Sequence, residues 1–379
     1  MKCNLADICE YAKDKIDVTI LDEDIYISTE NMMPNKGGIT RASSLPTIAQ
    51  TQAFLDGDVL VSNIRPYFKK IWFAEFDGGC SNDVLVFRAK DGVNKRFLYY
   101  VLANDTFFDY SMATSKGTKM PRGDKVAIMK YDVPDFTYEK QEKIARILDV
   151  LDRKIQLNTE INKNLEQQAQ AIYNKMFSHI TIEKKELSKI IEVRDGTHTS
   201  PKAQNSGFPL ITSKHLLPFG VDKSSANLIS KDDFDKINKR SLVETQDILM
   251  SMIGTIGLIS YIPYQTVDFA IKNVALFKTS QIPELAYYFI CYLKSSEVQQ
   301  HIEKCLAGST QKYISLGELR KMPTYQPAIT ELQNFNHVVK PMFDEIVLRN
   351  YENNILVNIR DTLLPKLMSG ELDISNIDF

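Results

Sequence analysis

No run of about 18 apolar residues occurs in the chain, so no segment has the composition of a transmembrane helix. The first residues, MKCNLADICEYAKDK, carry charges where a secretory signal peptide needs an apolar core. We therefore expect a cytoplasmic protein that is not secreted and has no membrane partner.

Cysteine is scarce. The 379 residues include five cysteines, which form no C-x-x-C pair and no Cys/His cluster at the spacing of metal ligands. Free thiols are the ordinary state of such cysteines, so we expect no disulfide and no metal site.

An excess of positive charge is also missing. The chain contains 46 Lys and Arg residues and 48 Asp and Glu residues, which gives a net charge of -2. A protein that binds nucleic acid by itself is usually basic, because neutralising phosphates supplies much of its affinity. Binding to nucleic acid would therefore require locally grouped cations or positive surface on a partner.

Catalytic motifs are missing as well. The sequence has no P-loop, no Rossmann fingerprint and no HExxH. The run NIRPY, Asn63 to Tyr67, is similar to the N-P-P-Y loop with which amino-methyltransferases hold a flipped base, but Ile64 and Arg65 break that motif. None of the five histidines adjoins a plausible nucleophile or a second metal ligand. We expect a chain that is not an enzyme and has no cofactor of its own.

The chain does contain an internal repeat. DGDVLVS at Asp56 recurs as TQDILMS at Thr245, and VLVFRA at Val84 recurs as VALFKT at Val274. Three further pairs keep the same order, with all offsets between 189 and 191 residues: Gly-Thr at 117 with Gly-Ser-Thr at 308, VPDF at 133 with MPTY at 322, and IYNKMF at 172 with LLPKLM at 363. A solenoid repeat has a period of about 20 to 50 residues. The long period indicates an ancient tandem duplication, as expected of a protein that does one thing at two places.

Each half has two parts of different composition. Residues 1–137 and 181–327 are rich in glycine, proline, aromatic residues and short alternating apolar runs, which predicts strand-rich α/β domains. Residues 138–180 and 328–379 contain the two long helical patterns, and the first of these has neither glycine nor proline from Glu139 to Ser178. We therefore predict the order domain, helix, domain, helix and tail.

The helical patterns are amphipathic. Apolar residues recur every three or four positions from Ile144 to Met176 and again from Leu332 to Leu367, which is typical of coiled-coil packing. Pro341 predicts a kink that leaves a short first segment in the second helix. If a pseudo-two-fold axis crosses the helices, they run antiparallel and the domains lie at opposite ends. The predicted fold class is α+β, with two strand-rich α/β domains joined by two long antiparallel coiled-coil helices and an internal pseudo-two-fold duplication.

Polar residues interrupt both apolar stripes. They occupy matching positions in the two helices: Asn158, Asn162, Arg349 and Asn353. A buried polar layer costs stability and fixes the register of a coiled coil. Simple exposure of these four side chains explains the pattern equally well.

This order of parts resembles the specificity subunit of type I restriction-modification systems. VRDGTHTSP at Val193, followed by FPLITSKHL at Phe208, is similar to the opening of that family's target recognition domains. The repeated strand motifs, the Gly-Ser/Thr loops, EKQEKIARILDVLDRKI at Glu139 and LLPKLMSGEL at Leu363 resemble the parts that follow. The resemblance covers nearly the whole chain, although the first domain has YAKDKIDV where its Asp-Gly-Thr-His should stand.

The resemblance implies a division of labour. Each target recognition domain reads one half of a bipartite, asymmetric site in double-stranded DNA, and the helices set the spacing and dock two methyltransferase subunits. Those partners bind S-adenosylmethionine and flip the adenine, and restriction subunits cut the DNA. The chain itself selects the sequence and catalyses nothing.

The resemblance also directs attention to polar loops as DNA contacts. In the first domain, glycines accompany grouped cations after Thr114, and a second group follows the strand at Asp56; the candidates are Asn63, Arg65, Tyr67, Lys69, Lys70, Lys116, Thr118, Lys119, Arg122 and Lys125. In the second domain the candidates are Thr197, His198, Lys202, Ser251, Met252, Thr255, Ser309, Thr310, Lys312 and Tyr313.

Structural explanations for these residues stay open. The loop after Thr114 has the alternative of a plain exposed turn, Arg65 that of a surface salt bridge instead of a guanine contact, and His198 that of a side chain that caps local structure. The alternative function is a coiled-coil scaffold whose globular domains bind protein or other ligands.

Overall fold

The computed structural model of the chain describes residues 2–177, 184–308 and 312–374. The chain divides into two compact units. The first unit contains the residues up to Gln156 together with those from Asn354 onward, and the second unit contains Leu157–Asn353. Each unit therefore combines a globular part with a segment of each long helix.

The first unit is built on short strands. They are β1 (Lys2–Asn4), β2 (Cys9–Tyr11), β3 (Lys15–Asp17), β4 (Tyr26–Ile27), β5 (Gln50–Phe54), β6 (Val59–Ser62), β7 (Ile71–Phe73), β8 (Gly78–Cys80), β9 (Val84–Ala89) and β10 (Asp132–Pro134). The main sheet is antiparallel in the order β2-β9-β6-β7, and a second sheet has the order β3-β5-β8-β4 with β4 and β8 parallel. Strand β1 pairs with β10, which joins the start of the unit to its exit.

Helices cover one face of the main sheet. They are α1 (Leu5–Ile8), α2 (Lys95–Ala103), α3 (Asp105–Ala113), α4 (Lys125–Ile128) and the first part of α5 (Tyr138–Phe177). Asn94 and Asn104 begin α2 and α3 by accepting hydrogen bonds from free backbone N–H groups, which is why each helix starts there. Side chains alternate along β6: Val59 and Val61 belong to the core that contains these helices, whereas Leu60 packs in the core on the opposite face.

The second unit repeats this plan. Its strands are β11 (Lys185–Glu186), β12 (Val193–Asp195), β13 (Phe208–Ile211), β14 (Leu216–Leu217), β15 (Gly220–Val221), β16 (Asn227–Ile229), β17 (Ile248–Ser251), β18 (Ile259–Tyr261), β19 (Ala270–Ile271), β20 (Val274–Phe277) and β21 (Pro323–Thr324). Its helices are α6 (Lys231–Ser241), α7 (Ala286–Lys294), α8 (Ser296–Lys304), α9 (Leu316–Arg320), the last part of α5 and the first part of α10 (Ile329–Ser369). The main sheet has the order β12-β20-β17-β18, and β16-β13-β19 forms a smaller sheet that again contains one parallel pair.

The repeated sequence motifs occupy equivalent strands in equivalent register. In the first unit Val59 pairs with Phe87 and Ser62 with Val84. In the second unit Ile248 pairs with Phe277 and Ser251 with Val274. The chain therefore contains two copies of one α/β fold, in agreement with the fold class and the internal duplication predicted from the sequence.

The long helices lie close to their predicted bounds. Within each unit they run antiparallel, because later residues of α5 meet earlier residues of α10. In the first unit Asp152 pairs with Arg360, and Leu148 shares a core with Leu364 and Leu367. In the second unit, the side chain of Asn158 donates a hydrogen bond to that of Asn353, and the ring of Tyr173 packs near the ring of Phe335.

The short first segment predicted before Pro341 does not form a separate helix. Helix α10 is not divided at Pro341: it runs through this residue as one helix, and the neighbouring Val339 and Phe343 are held in the core of the second unit. Between Ala286 and Lys304 the chain forms two helices, because Ser295 ends α7 and its hydroxyl accepts from the Val298 N–H at the start of α8. Among the described residues, no helix is both long enough and apolar enough to span a membrane.

Candidate nucleic-acid interface

In the first unit, the two predicted DNA-binding segments lie side by side. The chain turns after β6 and then meets a hairpin formed by residues 116–122. The N–H of Arg65 donates to the carbonyl of Pro121 at 2.8 Å, and Ile64 and Arg122 form an isolated β-bridge. Lys116 and Arg122 close the hairpin with two backbone hydrogen bonds of 2.9 and 3.0 Å. Backbone contacts thus bring together two segments that are about 50 residues apart in the sequence.

The hairpin presents cations to solvent. The side chains of Lys116, Thr118, Lys119, Arg122 and Lys125 all belong to exposed residues. Lys116 lies 2.6 Å from Asp124 and holds the pKa of that carboxyl at about 2, and Arg122 lies 3.1 Å from Asp83. Exposed ion pairs of this kind contribute little free energy, so a phosphate competes with them readily.

Three candidates in the turn after β6 are held by the protein itself. Asn63 is 8% exposed and lies under the hairpin, where its carbonyl accepts from the N–H of Gly123 at 3.2 Å. Lys69 lies 2.9 Å from Asp105. Lys70 donates to the carbonyl of Thr29 at 2.5 Å, and partial burial lowers the pKa of Lys70. Lys69 and Lys70 thus support the turn through their side chains and Asn63 through its backbone, whereas Arg65 and Tyr67 are exposed.

The second unit places its equivalent segments together in the same way. Tyr313 forms β-bridges with both Ile253 and Ala307, and the N–H of Ile314 donates to the carbonyl of Met252 at 3.1 Å. Thr255, Lys312 and Tyr313 are exposed. The predicted residues Ser309 and Thr310 lie outside the described residues.

Two candidates of the second unit lie in its interior. Ser251 is 0% exposed, and its hydroxyl donates to the carbonyl of Thr255 and accepts from the N–H of Leu258. Met252 is 5% exposed. Both residues shape the loop that carries Thr255.

The Asp-Gly-Thr-His motif forms a separate structure in the second unit. His198 lies 2.9 Å from the buried Asp195 and 2.8 Å from the side-chain oxygen of Asn273. Gly196 is needed because a Cβ there would lie 2.4 Å from the carbonyl oxygen of Ile271. Thr197 is half-buried, and His198 remains 64% exposed despite its two contacts.

This motif is not joined to the other candidate segments. Lys202 follows it and is exposed. Among the described residues, no hydrogen bond links residues 197–202 to residues 251–255 or 307–313.

Sequence reasoning missed one pair of equivalent positions. Asp83 and Asn273 directly precede the repeated strands β9 and β20. Each contacts a predicted residue: Asp83 pairs with Arg122, and Asn273 holds His198. The signal was available, because both side chains are short, polar and adjacent to a repeated motif.

The predicted helix-register residues lie together in the second unit, where Asn158 and Asn162 are buried and Arg349 and Asn353 are partly buried. Asn158 is 0% exposed; its amide donates to Glu352 at 2.7 Å and to Asn353 at 2.9 Å, and its carbonyl accepts from Arg349 at 2.9 Å. Asn162 donates to Asn350 at 3.1 Å. The layer has the contacts that a register device requires.

Across residues 2–177, 184–308 and 312–374, no group of three or more His, Cys, Asp and Glu side chains is placed to hold a metal ion.

Comparisons with known proteins identify relatives of one kind. Residues 1–167 match the family model described as the type I restriction modification DNA specificity domain. The MjaIX specificity subunit of a type I restriction enzyme from Methanocaldococcus jannaschii is 25% identical over 76% of this chain and 71% of its own length. The HindI specificity subunit from Haemophilus influenzae is 24% identical over 97% of this chain and 98% of its own.

A solved structure shares the fold. The type I restriction-modification S subunit from M. genitalium superposes with a TM-score of 0.56 at 16% identity, covering 97% of this chain and 96% of that one. The chain thus contains two copies of an α/β unit, each with two long helical segments. The relatives named above are all specificity subunits. By its matching family model and by these relatives, the chain is similar to the specificity subunits of type I restriction-modification systems.

Proposed function

We propose that this chain selects the DNA sequence modified by a type I complex, with each unit reading one half of a bipartite, asymmetric site. The long helices set the distance between the halves and seat two methyltransferase subunits. S-adenosylmethionine is bound by those subunits, and restriction subunits join the same assembly. The chain contributes recognition and no catalytic group.

One observation carries this proposal. Both units present the same pair of loops on the same backbone bridges, at positions 64 and 122 in one and 253 and 313 in the other. The side chains on these loops differ: the first unit exposes Arg65, Lys119 and Arg122, and the second exposes Thr255, Lys312 and Tyr313. Two units that recognise different half-sites need the same backbone framework with different polar side chains on its surface.

The exposed faces of the long helices support the docking role. In the first unit Ile355 and Ile359 line a shallow cleft of about 360 Å³ on α10. In the second unit Leu348 and Tyr351 of α10 are 60% and 66% exposed. Exposed apolar side chains grouped on one helix face are typical of protein interaction sites.

Mapping of methylated adenine across the genome tests the proposal. We expect a bipartite motif that disappears when the gene for this chain is deleted and returns with a plasmid copy. Purified methyltransferase without this chain should lose sequence-specific binding to DNA. Unchanged binding, or an unchanged methylation motif, would refute the proposal.

Exchange of residues 1–137 for the equivalent residues of a relative should change one half-site only. The other half-site should stay the same, because its reader lies in the second unit. Methylation mapping of the hybrid complex measures both halves at once. A hybrid that alters both half-sites, or neither, would contradict the assignment of one reader to each unit.

Replacing Tyr351 with glutamate should weaken the binding of one methyltransferase subunit at least about tenfold, because a charge must then be desolvated at an apolar contact. Native mass spectrometry should show complexes with one methyltransferase where the wild type has two. Ile20→Glu provides the control: Ile20 is also 66% exposed but lies outside the long helices. If both variants retain two methyltransferases, this face of α10 is not the docking site.

A further inference from the structure

The turn after β6 is unusual in its backbone. Six described residues other than glycine have a left-handed backbone, and four of them meet here: Asn35, Lys36, Arg65 and Lys69, with φ values of 55°, 61°, 50° and 50°. The N–H of Asn35 donates to the carbonyl of Phe68 at 2.8 Å, and that of Lys36 donates to the carbonyl of Lys69 at 2.9 Å. The left-handed conformation costs roughly 1–2 kcal/mol for each residue other than glycine, so the surrounding structure must impose it.

The equivalent turn of the second unit avoids this cost. Gly254 stands at the position of Arg65, 189 residues further along, and has a φ of 80°. Glycine adopts that conformation without strain. Because glycine adopts this backbone without strain, the strain at Arg65 suggests a role for the arginine side chain.

Support for the turn is separate from its exposed face. Lys36 and Lys69 both bind Asp105 at 2.9 Å, one to each carboxylate oxygen, and tie the two left-handed segments together. The guanidinium of Arg65, in contrast, has no hydrogen bond or ion pair with any described residue. The salt bridge that would explain Arg65 without a ligand is therefore not formed within the described chain.

An aromatic pair stands beside this free cation. The rings of Tyr67 and Phe68 are 4.6 Å apart, and the two residues are 49% and 38% exposed. They lie in a 3₁₀ turn, Pro66–Phe68, whose two ends are the left-handed Arg65 and Lys69. The turn thus displays an unpaired guanidinium and an apolar edge together on a rigid backbone.

We propose that the turn Arg65–Phe68 is the base-reading element of the first unit, in which Arg65 binds a guanine and the Tyr67–Phe68 pair packs on a neighbouring thymine methyl in the major groove. This inference rests on the proposed function. Arginine binds the O6 and N7 atoms of guanine with two hydrogen bonds, and the thymine methyl is the apolar group of that groove. The nearby Lys119, which has no side-chain partner among the described residues, neutralises phosphate and carries no sequence information.

Arg65→Gly is the decisive variant, because glycine keeps the left-handed backbone and reproduces the residue of the second unit. The complete complex with its methyltransferase is supplied with S-adenosylmethionine and a pool of duplexes randomised at the recognised positions. We expect the preference for one G·C pair to fall about tenfold or more, in the half-site that the 1–137 exchange assigns to the first unit. The half-site of the second unit should be read as before.

Lys69→Gly is the matched control, since Lys69 has the same φ as Arg65 and lies at the other end of the same turn. It should lower methylation of all sequences alike and leave each base preference in place. Tyr67→Ala should weaken a preference for thymine next to the guanine. Lys119→Ala should reduce binding uniformly and flatten its salt dependence.

Several results would overturn the inference. They are an Arg65→Gly complex with every base preference intact, equal relaxation by Lys69→Gly, and a first half-site without guanine. In each of these cases the wild-type complex still methylates a bipartite motif, so the proposed function survives. A wild-type complex with no sequence preference would overturn both.

Discussion

Replacing Lys278 with methionine is expected to lower the free energy of unfolding by about 3–5 kcal/mol, the usual cost of leaving one member of a buried ion pair alone. The Lys278 side chain is 2% exposed and that of Asp247 is 0% exposed, with Nζ 2.6 Å from Oδ2. Lys278 also lies 2.7 Å from Glu244 and donates to the carbonyl of Leu242. Methionine fills similar space without charge, so Asp247 keeps only its backbone donors. Urea unfolding of the full chain, followed by circular dichroism, measures the loss.

The first unit provides a matched comparison. Arg88 and Asp58 occupy the equivalent positions and form a two-pronged pair with distances of 2.7 and 2.9 Å. The Arg88 side chain is 27% exposed, so water can reach Asp58 in Arg88→Met and the loss should be smaller. Asp247→Leu combined with Lys278→Met should recover most of the stability, because no unpaired charge stays buried. Equal losses in the single and double variants would contradict this explanation.

The ion pairs give a physical reason for the repeat. The motifs DGDVLVS and TQDILMS both keep an aspartate before the strand, and VLVFRA and VALFKT both keep a cation at the end of the partner strand. The register that pairs Val59 with Phe87 and Ile248 with Phe277 brings these charges together across neighbouring strands. The sequence contains both charged residues of each ion pair, but only the strand register shows that the two residues are in contact.

The long helices were the most predictable elements. Helix α5 is Tyr138–Phe177 where the pattern indicated Glu139 to Ser178, because a stripe without glycine or proline permits little else. Pro341 was the exception, since its local propensity argued for a kink and a short first segment, whereas the helix is continuous through it and Val339 and Phe343 pack in the core. Local sequence patterns thus predicted the long helices well, but they did not predict the effect of a proline within one of them.

The candidate site was predictable as loops but not as individual side chains. Ser251 is the last residue of a buried strand, and Asn63 and Met252 directly follow one, so the chain has not yet left the core at these positions. Arg65 and Lys69 look alike in sequence, yet one is free and the other is bound to Asp105. Neither burial nor partners can be read from residue type, because both depend on how the chain folds around each residue, as when Asp105 reaches Lys69.

Lengthening both helices by one turn is expected to lengthen the unread spacer between the half-sites while leaving both half-sites unchanged. Four residues add about 6 Å to a helix, and base pairs are about 3.4 Å apart, so the spacer should grow by one to two base pairs. The insertions belong after Gln156 in α5 and after Asn353 in α10. These positions fall between the compact units, so the Asp152–Arg360 pair of one and the Asn158–Arg349 contact of the other are both kept.

Insertion into α5 alone is the control for this experiment. It shifts the first helix against an unchanged second helix, so the contacts within at least one unit must break, and we expect a loss of methylation instead of a longer spacer. Methylation mapping of the three complexes distinguishes these outcomes, because the spacer is counted directly between the two read halves. A double insertion that changes the bases of either half-site, or that methylates the original spacing with the original efficiency, would show that the helices do not set the distance.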